Sequence, residues 1–367
     1  MEQALGHATH YRNFRQVADQ QSDVSPVWIP IPFEVAGPAR FVPMLRSNWS
    51  VRASWRARRA LDRVMAAGPL DAILFHTQVT SLFSISLMRR VPSLISLDAT
   101  PINYDSVGVS YGHRAAGTGF VDRKKFELNQ RAFQAARGLV TWSDWARKSL
   151  IDDYGTNPDR IRVVAPGAPR VYFDIGRTRS PEPAAQDGRK VRLLFVGGDF
   201  HRKGGPLLLD LMRGPLGTRC ELHIATQTPL APRPNVFVYH GLQPNSTALR
   251  DLFASADVFV LPTRADCLAV VLEEAAAAAL PVVTTRVGAL AEAVNDGESG
   301  LIVQPDDMHA LGQALTMLVN DPPRRTTMGR AAHELARRRF DATQNNRALL
   351  DFMQEIAQPR FTTRRAA

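Results

Sequence analysis

One stretch limits the fold more than any other: Ala256–Val283, ADVFVLPTRADCLAVVLEEAAAAALPVV. It reads as a buried strand at Val258–Leu261, a loop opening at Pro262, a helix over about Ala269–Ala279 and a second buried strand at Val282–Thr284. Strand, helix and strand in that order require a crossover, and so a parallel α/β sheet. Two carboxylates frame the loop and helix, Asp266 just before the helix and Glu274 within it, eight positions apart. At about 1.5 Å rise per residue this is roughly two turns, a spacing at which two acids can touch different parts of one extended ligand. The helix start also leaves backbone N–H groups near Leu268, Ala269 and Val270 unpaired, a seat for phosphate. Acids near a helix start can equally serve only to complement the helix dipole, so this stretch alone leaves both readings open.

The chain has 367 residues, enough for two domains each with its own core. No run of 18 apolar residues is present, and the opening MEQALGHATHYRNF lacks the layout of a signal peptide. Only Cys220 and Cys267 occur, which argues for a reducing compartment and against a disulfide framework or a cysteine metal site. A soluble cytoplasmic protein is expected. The formal charge of +10 favours anionic partners without choosing among them.

Along the chain, Met1–Val17 reads as a short loop with Gly6 and then a helix from about Thr9. An α/β domain normally places a buried strand before such a loop. None is read here, which predicts an N-terminal sheet short of its first strand, whether truly absent or lost to a mis-set start. Val27–Phe33 (VWIPIPF) is an apolar run interrupted by prolines and is expected as an edge strand. Arg46–Arg63 carries six arginines against one aspartate, interleaved with Trp49 and Trp55. It suits an interfacial helix on an anionic membrane, or a helix whose tryptophans pack inward under a coat of arginine. Strands at Asp71–Phe75 and Ser93–Leu97 end at His76 and Asp98, in the crevice where parallel sheets bind ligands. Polar residues there also commonly just fix loops. Further strands at Gly138–Trp142 and Ile161–Ala165 close the first half, with Ser143 as N-cap of the helix between them.

Ser180–Lys190 (SPEPAAQDGRK) is the best linker, and the alternation restarts after it. The expected division is residues 1–167, a linker over 168–190, a second domain over 191–340, and a helix over 341–358 that returns to the first domain. Strand Val191–Val196 runs into Gly197-Gly198-Asp199-Phe200-His201-Arg202-Lys203-Gly204-Gly205 and then an apolar helix. Glycines permit close backbone approach. Arg202 offers a planar fork and Lys203 a point charge, both suited to phosphate. The spacing is neither that of a Walker A loop nor that of G-x-G-x-x-G.

Together the two loops resemble those of the family 4 retaining glycosyltransferases of GT-B fold, with two Rossmann-like domains facing across a cleft. The Gly-Gly to Arg-Lys-Gly-Gly loop looks like that family's phosphate loop, and Asp266 to Glu274 like its spaced acidic pair. Leu261-Pro262-Thr263, Ala275–Val283 and Gly297–Val303 are similar too. Weaker echoes cover Leu5-Gly6-His7, Asp71 to His76, Ser143 and Pro166-Gly167. The resemblance implies a nucleotide-diphosphate sugar as donor, with a glycan, polysaccharide or lipid-linked acceptor, and neither a metal nor another cofactor. Lys203 with Arg202 would hold the diphosphate on the Gly197, Gly198 and Gly204 loop, and Lys203→Ala would abolish turnover while sparing the fold. Glu274 would bind the ribose, Asp266 the donor sugar, and backbone groups near Thr226 and Gly241 the base. Gly6, His76 and Asp98 would lie on the acceptor side.

There are departures. The family's phosphate arginine commonly precedes the lysine by five residues, where this chain has Gly198, and the histidine many members carry near the donor is here Asp98. These and the absent strand favour an alternative, a degenerate relative that binds nucleotide or glycan without turnover. A third reading is a nucleic-acid or membrane-surface binder that uses Arg46–Arg63, and the membrane version can coexist with transfer to a lipid-linked acceptor at the inner face. No specific nucleic-acid recognition is expected.

Overall fold

The computed structural model describes residues 1, 7–33, 48–108, 115, 117, 119–179 and 189–358. Four strands make the first sheet: Ile73–His76 (β1), Ser93–Leu97 (β2), Gly138–Thr141 (β3) and Ile161–Val163 (β4). They run parallel in the order β1-β2-β3-β4, with Phe75 beside Ile95 and Ile95 beside Leu139. Side chains alternate between two cores, as a strand's period of two dictates. Ile95, Leu97 and Leu139 pack with Leu87, Phe133 and Leu150 on one face. Leu94 and Val140 pack with Phe14, Leu349 and Phe352 on the other. Each fully buried large side chain contributes about 1.5–3 kcal/mol.

The second sheet contains Val191–Val196 (β5), Cys220–Ala225 (β6), Val236–Tyr239 (β7), Val258–Leu261 (β8), Val282–Thr285 (β9) and Gly300–Val303 (β10). All are parallel, in the order β10-β9-β8-β5-β6-β7. The chain starts in the middle at β5, builds outward to β7, then returns to β8 and builds the other way. This is the doubly wound Rossmann order, and its switch point lies between β5 and β8. β8 and β9 are wholly buried, β8 as its unbroken apolar sequence requires and β9 with its two threonine hydroxyls donating to the Leu261 and Thr263 carbonyls.

The chain divides into two compact units. One holds residues Met1–Pro101, Ala116–Val164 and Asn346–Ala367; the other holds Ile102–Ala115 and Ala165–Asn345. From Asn346 onward the Ala342–Ala357 helix belongs to the first unit, with Leu349, Leu350, Phe352 and Ile356 in its core.

The edge strand and the start of the linker are corrected. Val27–Phe33 is not a strand: only Ile31 forms a bridge, its N–H donating to the Met1 carbonyl at 2.8 Å, because Pro30 and Pro32 lack the N–H a ladder needs. Among the described residues no strand precedes Ile73. The segment read as the start of a linker forms a helix, Arg170–Thr178, that buries Tyr172 and Phe173 in the second unit. Arg179, just beyond it, donates to the carbonyls of Phe253, Ala256 and Ala278.

The tryptophan–arginine segment forms the helix Trp49–Ala67, with Asn48 accepting from the Val51 N–H as N-cap; Arg46 lies outside the described residues. Arg52 is buried between Phe33 and Trp49, Arg56 donates to the Pro32 carbonyl, and Arg58 pairs with Asp62. Arg59 lies over Trp55. Arg52 and Arg56 therefore tie this helix to the Pro32–Phe33 segment of its own unit, Arg58 pairs within the helix, and Arg59 and Arg63 stay exposed.

Candidate active site

The two predicted loops leave the carboxyl ends of β5 and β8, on either side of the switch point. After β5 the loop tightens on itself: Asp199 accepts from the Arg202 N–H through its side chain and from the Lys203 N–H through its carbonyl. Phe200 is buried edge-on against Phe195 and anchors the loop to the strand. Gly204, at φ +76°, passes so close to the β8 loop that a Cβ there would sit 1.9 Å from the Pro262 carbonyl oxygen. The Arg264 N–H donates to the Arg202 carbonyl at 2.9 Å, which ties the loops together.

Lys203 and Asp266 meet across this seam. The ammonium lies 2.9 Å from Asp266 Oδ2, with both side chains mostly buried, at 14% and 13% exposure. The Arg202 guanidinium turns inward at 7% exposure. It donates to Asp199 at 3.2 Å and to the Ala265 carbonyl, and lies 3.8 Å from Asp266. Arg202 is thus a strut between the loops, and Lys203 is not the exposed cation its sequence context suggests. Room remains on the loop's outer side, where a Cβ on Gly198 would meet nothing nearer than Gln227 at 3.8 Å.

The helix after the β8 loop starts at Val270, with Ala269 as an N-cap that offers no side-chain acceptor. Leu268, Ala269 and Val270 line its start. Glu274 is buried, and its carboxyl group makes no ion pair or hydrogen bond among the described residues; burial pushes it up to about 8. Its neighbour Glu273 is pushed to about 8 by burial as well, against the opposing hydrogen bond from the Gly167 N–H at 2.8 Å. The Tyr172 hydroxyl, close enough to feel the charge of Glu274, is buried without a hydrogen-bond partner among the described residues. Thr226, at the end of β6, donates its hydroxyl to the Gly198 carbonyl, and His240 Nδ1 lies 3.0 Å from the Thr226 carbonyl. Gly241, at φ +70°, follows with open space around it.

In the first unit the carboxyl ends of β1, β2 and β3 gather His76, Asp98 and Trp142. Two histidines join them: His7, which the sequence reading quoted only as part of an echo and gave no role, and His10, which it did not single out. His10 Nδ1 lies 2.8 Å from His76 Nε2, and His7 Nε2 lies 3.6 Å from Asp98 Oδ2. Burial, reinforced by His7, drops His10 to about 3, and burial likewise holds His76 well below the usual imidazole range. Burial pushes Asp98 upward, but the His7 charge and hydrogen bonds outweigh it and leave the carboxyl lowered. The available signal was the spacing of His7 and His10, three apart on one helix face. Gly6 lies outside the described residues. No group of three or more metal-ligating side chains suited to an ion occurs among the described residues.

Comparisons with known proteins agree with this architecture. Residues 8–170 match the family model "Glycosyltransferase Family 4", and residues 190–321 match "Glycosyl transferases group 1". A D-inositol 3-phosphate glycosyltransferase of Pseudarthrobacter chlorophenolicus is 31% identical over 318 residues, 81% of this chain and 74% of the relative. One of the same name from Arthrobacter sp. strain FB24 is 30% identical over 227 residues, 57% of this chain. The chain spans only 54% of that relative's length. Among solved structures, sucrose-phosphate synthase from Thermosynechococcus elongatus superposes with a TM-score of 0.72 at 17% identity, covering 97% of this chain and 94% of that one. Anabaena HepE in complex with UDP-glucose gives 0.61 at 16% identity, covering 89% and 85%. WaaG, a glycosyltransferase involved in lipopolysaccharide biosynthesis, gives 0.61 at 17%, covering 94% and 95%.

Two parallel sheets, the doubly wound order of the second and these structural neighbours define a GT-B fold. Within it, the chain belongs to the family 4 glycosyltransferases.

Proposed function

We propose that the chain transfers a sugar from a nucleotide-diphosphate sugar to a glycan, polysaccharide or lipid-linked acceptor, with retained anomeric configuration and no metal. The observation that carries this reading is the Lys203–Asp266 pair at the switch point of the second sheet. A bound donor exchanges partners with it. A phosphate oxygen takes the place of Asp266 on the Lys203 ammonium, and the freed carboxylate accepts from a sugar hydroxyl. The uncapped N–H groups from Leu268 to Val270 add positive potential beside the diphosphate. As the anomeric C–O bond breaks, negative charge gathers on the leaving diphosphate and positive charge on the sugar. Preorganised cation, dipole and carboxylate stabilise both. The acceptor oxygen forms the new bond, and its proton passes to the departing phosphate. Glu274 accepts from ribose hydroxyls, and backbone near Thr226 and Gly241 meets the base.

The complex of HepE with UDP-glucose supports a uridine nucleotide as the first donor to test. The reading includes a cytoplasmic site of action at an anionic membrane face. No described helix is long and apolar enough to cross a membrane, and Arg59 and Arg63 are the exposed cations of the tryptophan-bearing helix.

The test is a thermal-shift screen of UDP, GDP, ADP and their sugars, followed by turnover of the best donor by wild type, Lys203→Ala and Lys203→Arg. Because Lys203 is paired, melting of each variant is measured alongside. Lys203→Ala is expected to lose about 10²–10³-fold in turnover while remaining folded. Transfer at the wild-type rate by that variant would remove Lys203 from the site. Nucleotide binding without turnover of any donor would make the chain the degenerate binder instead.

A further inference from the structure

The first unit carries a second charged concavity far from the carboxyl-end crevice. Pro92, Arg137 and Arg160 immediately precede β2, β3 and β4, so they lie at the amino ends of those strands, opposite the ends that hold Asp98, His76 and Trp142. There a cavity of about 430 Å³ is lined by Arg89, Arg90, Arg137 and Arg160, together with Met88, Pro92 and residues 134–136. Among the described residues no carboxylate lines it.

The four arginines divide into two kinds. Arg160 donates to the carbonyls of Phe133 and Gln134, at the end of the Phe120–Ala135 helix, and Arg137 donates to the Gln358 carbonyl at 2.8 Å. These two are half-buried and fix the wall. Arg89 and Arg90 are exposed and make no ion pair among the described residues, so their guanidinium groups are not committed elsewhere. Gathering four like charges around one cavity with no acid among them works against folding through mutual repulsion. Capping helix carbonyls accounts for Arg160, but it does not account for Arg89 and Arg90. Planar guanidinium forks fit phosphate oxygens in pairs.

We propose that this cavity is an anion site, separate from the sugar-transfer site, for a ligand that presents two or more phosphate-type charges, either free in solution or on a lipid headgroup. The proposal does not depend on the transferase reading.

Inorganic pyrophosphate is the soluble probe, titrated by calorimetry at low ionic strength, where such contacts are least screened. It will also meet Lys203, so the background is Lys203→Ala. In that background the pyrophosphate site is expected to persist, and adding Arg89→Ala with Arg90→Ala is expected to weaken it about tenfold or more. Both side chains are exposed, so melting should stay within about 2 °C of the parent's. Flotation with phosphatidylglycerol and with phosphatidylcholine vesicles separates the sources. Binding to the anionic vesicles that the arginine pair controls and pyrophosphate competes for assigns a lipid headgroup. Pyrophosphate binding without flotation assigns a soluble anion. If neither probe binds the Lys203→Ala protein, or if both bind equally with and without Arg89 and Arg90, the proposal is overturned.

Discussion

Two glycines on one loop, Gly198 and Gly204, meet opposite surroundings, and the difference predicts opposite responses. At Gly204 a methyl group would collide with the Pro262 carbonyl, and φ of +76° is strained for any other residue. Gly204→Ala must push the β5 and β8 loops apart, which separates Lys203 from Asp266. It is expected to cost roughly 2–4 kcal/mol in urea unfolding and to abolish nucleotide binding. At Gly198 the nearest atom to an added Cβ is 3.8 Å away. Gly198→Ala is therefore expected to be neutral or to stabilise by up to about 1 kcal/mol. Gly198→Arg, which adds a cation on the open side of the loop, should fold as well as wild type and tighten pyrophosphate binding. A destabilised Gly198→Ala would mean the outer side of the loop is not open.

At the scale of elements, the alternation of apolar runs and helices was readable because a buried parallel strand leaves an unbroken apolar signature, as in Val258–Leu261. Asp266 and Glu274 were readable for a similar reason, as acids interrupting an apolar run. What a local pattern cannot carry is the direction of a side chain. Nothing adjacent to Arg202 announces that its guanidinium turns inward to the Ala265 carbonyl, a partner 63 residues away. Nor does the sequence near Tyr172 and Phe173 reveal a helix, since their packing partners come much later in the chain. The Trp49–Ala67 helix shows the same limit, because its arginines look alike in sequence and differ only by what they touch. Arg52 is 3% exposed and donates to the Phe33 carbonyl at 2.9 Å, whereas Arg63 is exposed. Arg52→Ala is expected to cost about 2–3 kcal/mol in thermal or urea unfolding, and Arg63→Ala under about 0.5 kcal/mol. Equal effects would mean that the helix is not packed along the Arg52 face.

For the whole molecule, the two units carry opposite pH dependences. In the first, His10 and His76 are held neutral below their ordinary range. The unfolded chain takes up protons there below about pH 6.5 and the folded unit does not, so stability falls as pH drops through that value. In the second, Glu273 and Glu274 are raised from 4.5 to about 8. Their contribution is complete below the unfolded value and is lost as pH rises towards 8, because the unfolded chain ionises first. Each group acting alone sets a slope of up to about 1.4 kcal/mol per pH unit. All five tryptophans, Trp28, Trp49, Trp55, Trp142 and Trp145, belong to the first unit, so tryptophan fluorescence reads that unit while calorimetry reads both. Fluorescence melting temperature is expected to fall between pH 6.5 and 5. The calorimetric transition that fluorescence does not see is expected to fall between pH 5.5 and 8.5. Glu273→Gln combined with Glu274→Gln should flatten the alkaline loss and leave the fluorescence profile unchanged. A fluorescence transition that holds steady from pH 6.5 to 5 would mean that His10 and His76 protonate freely in the folded unit, contrary to their burial.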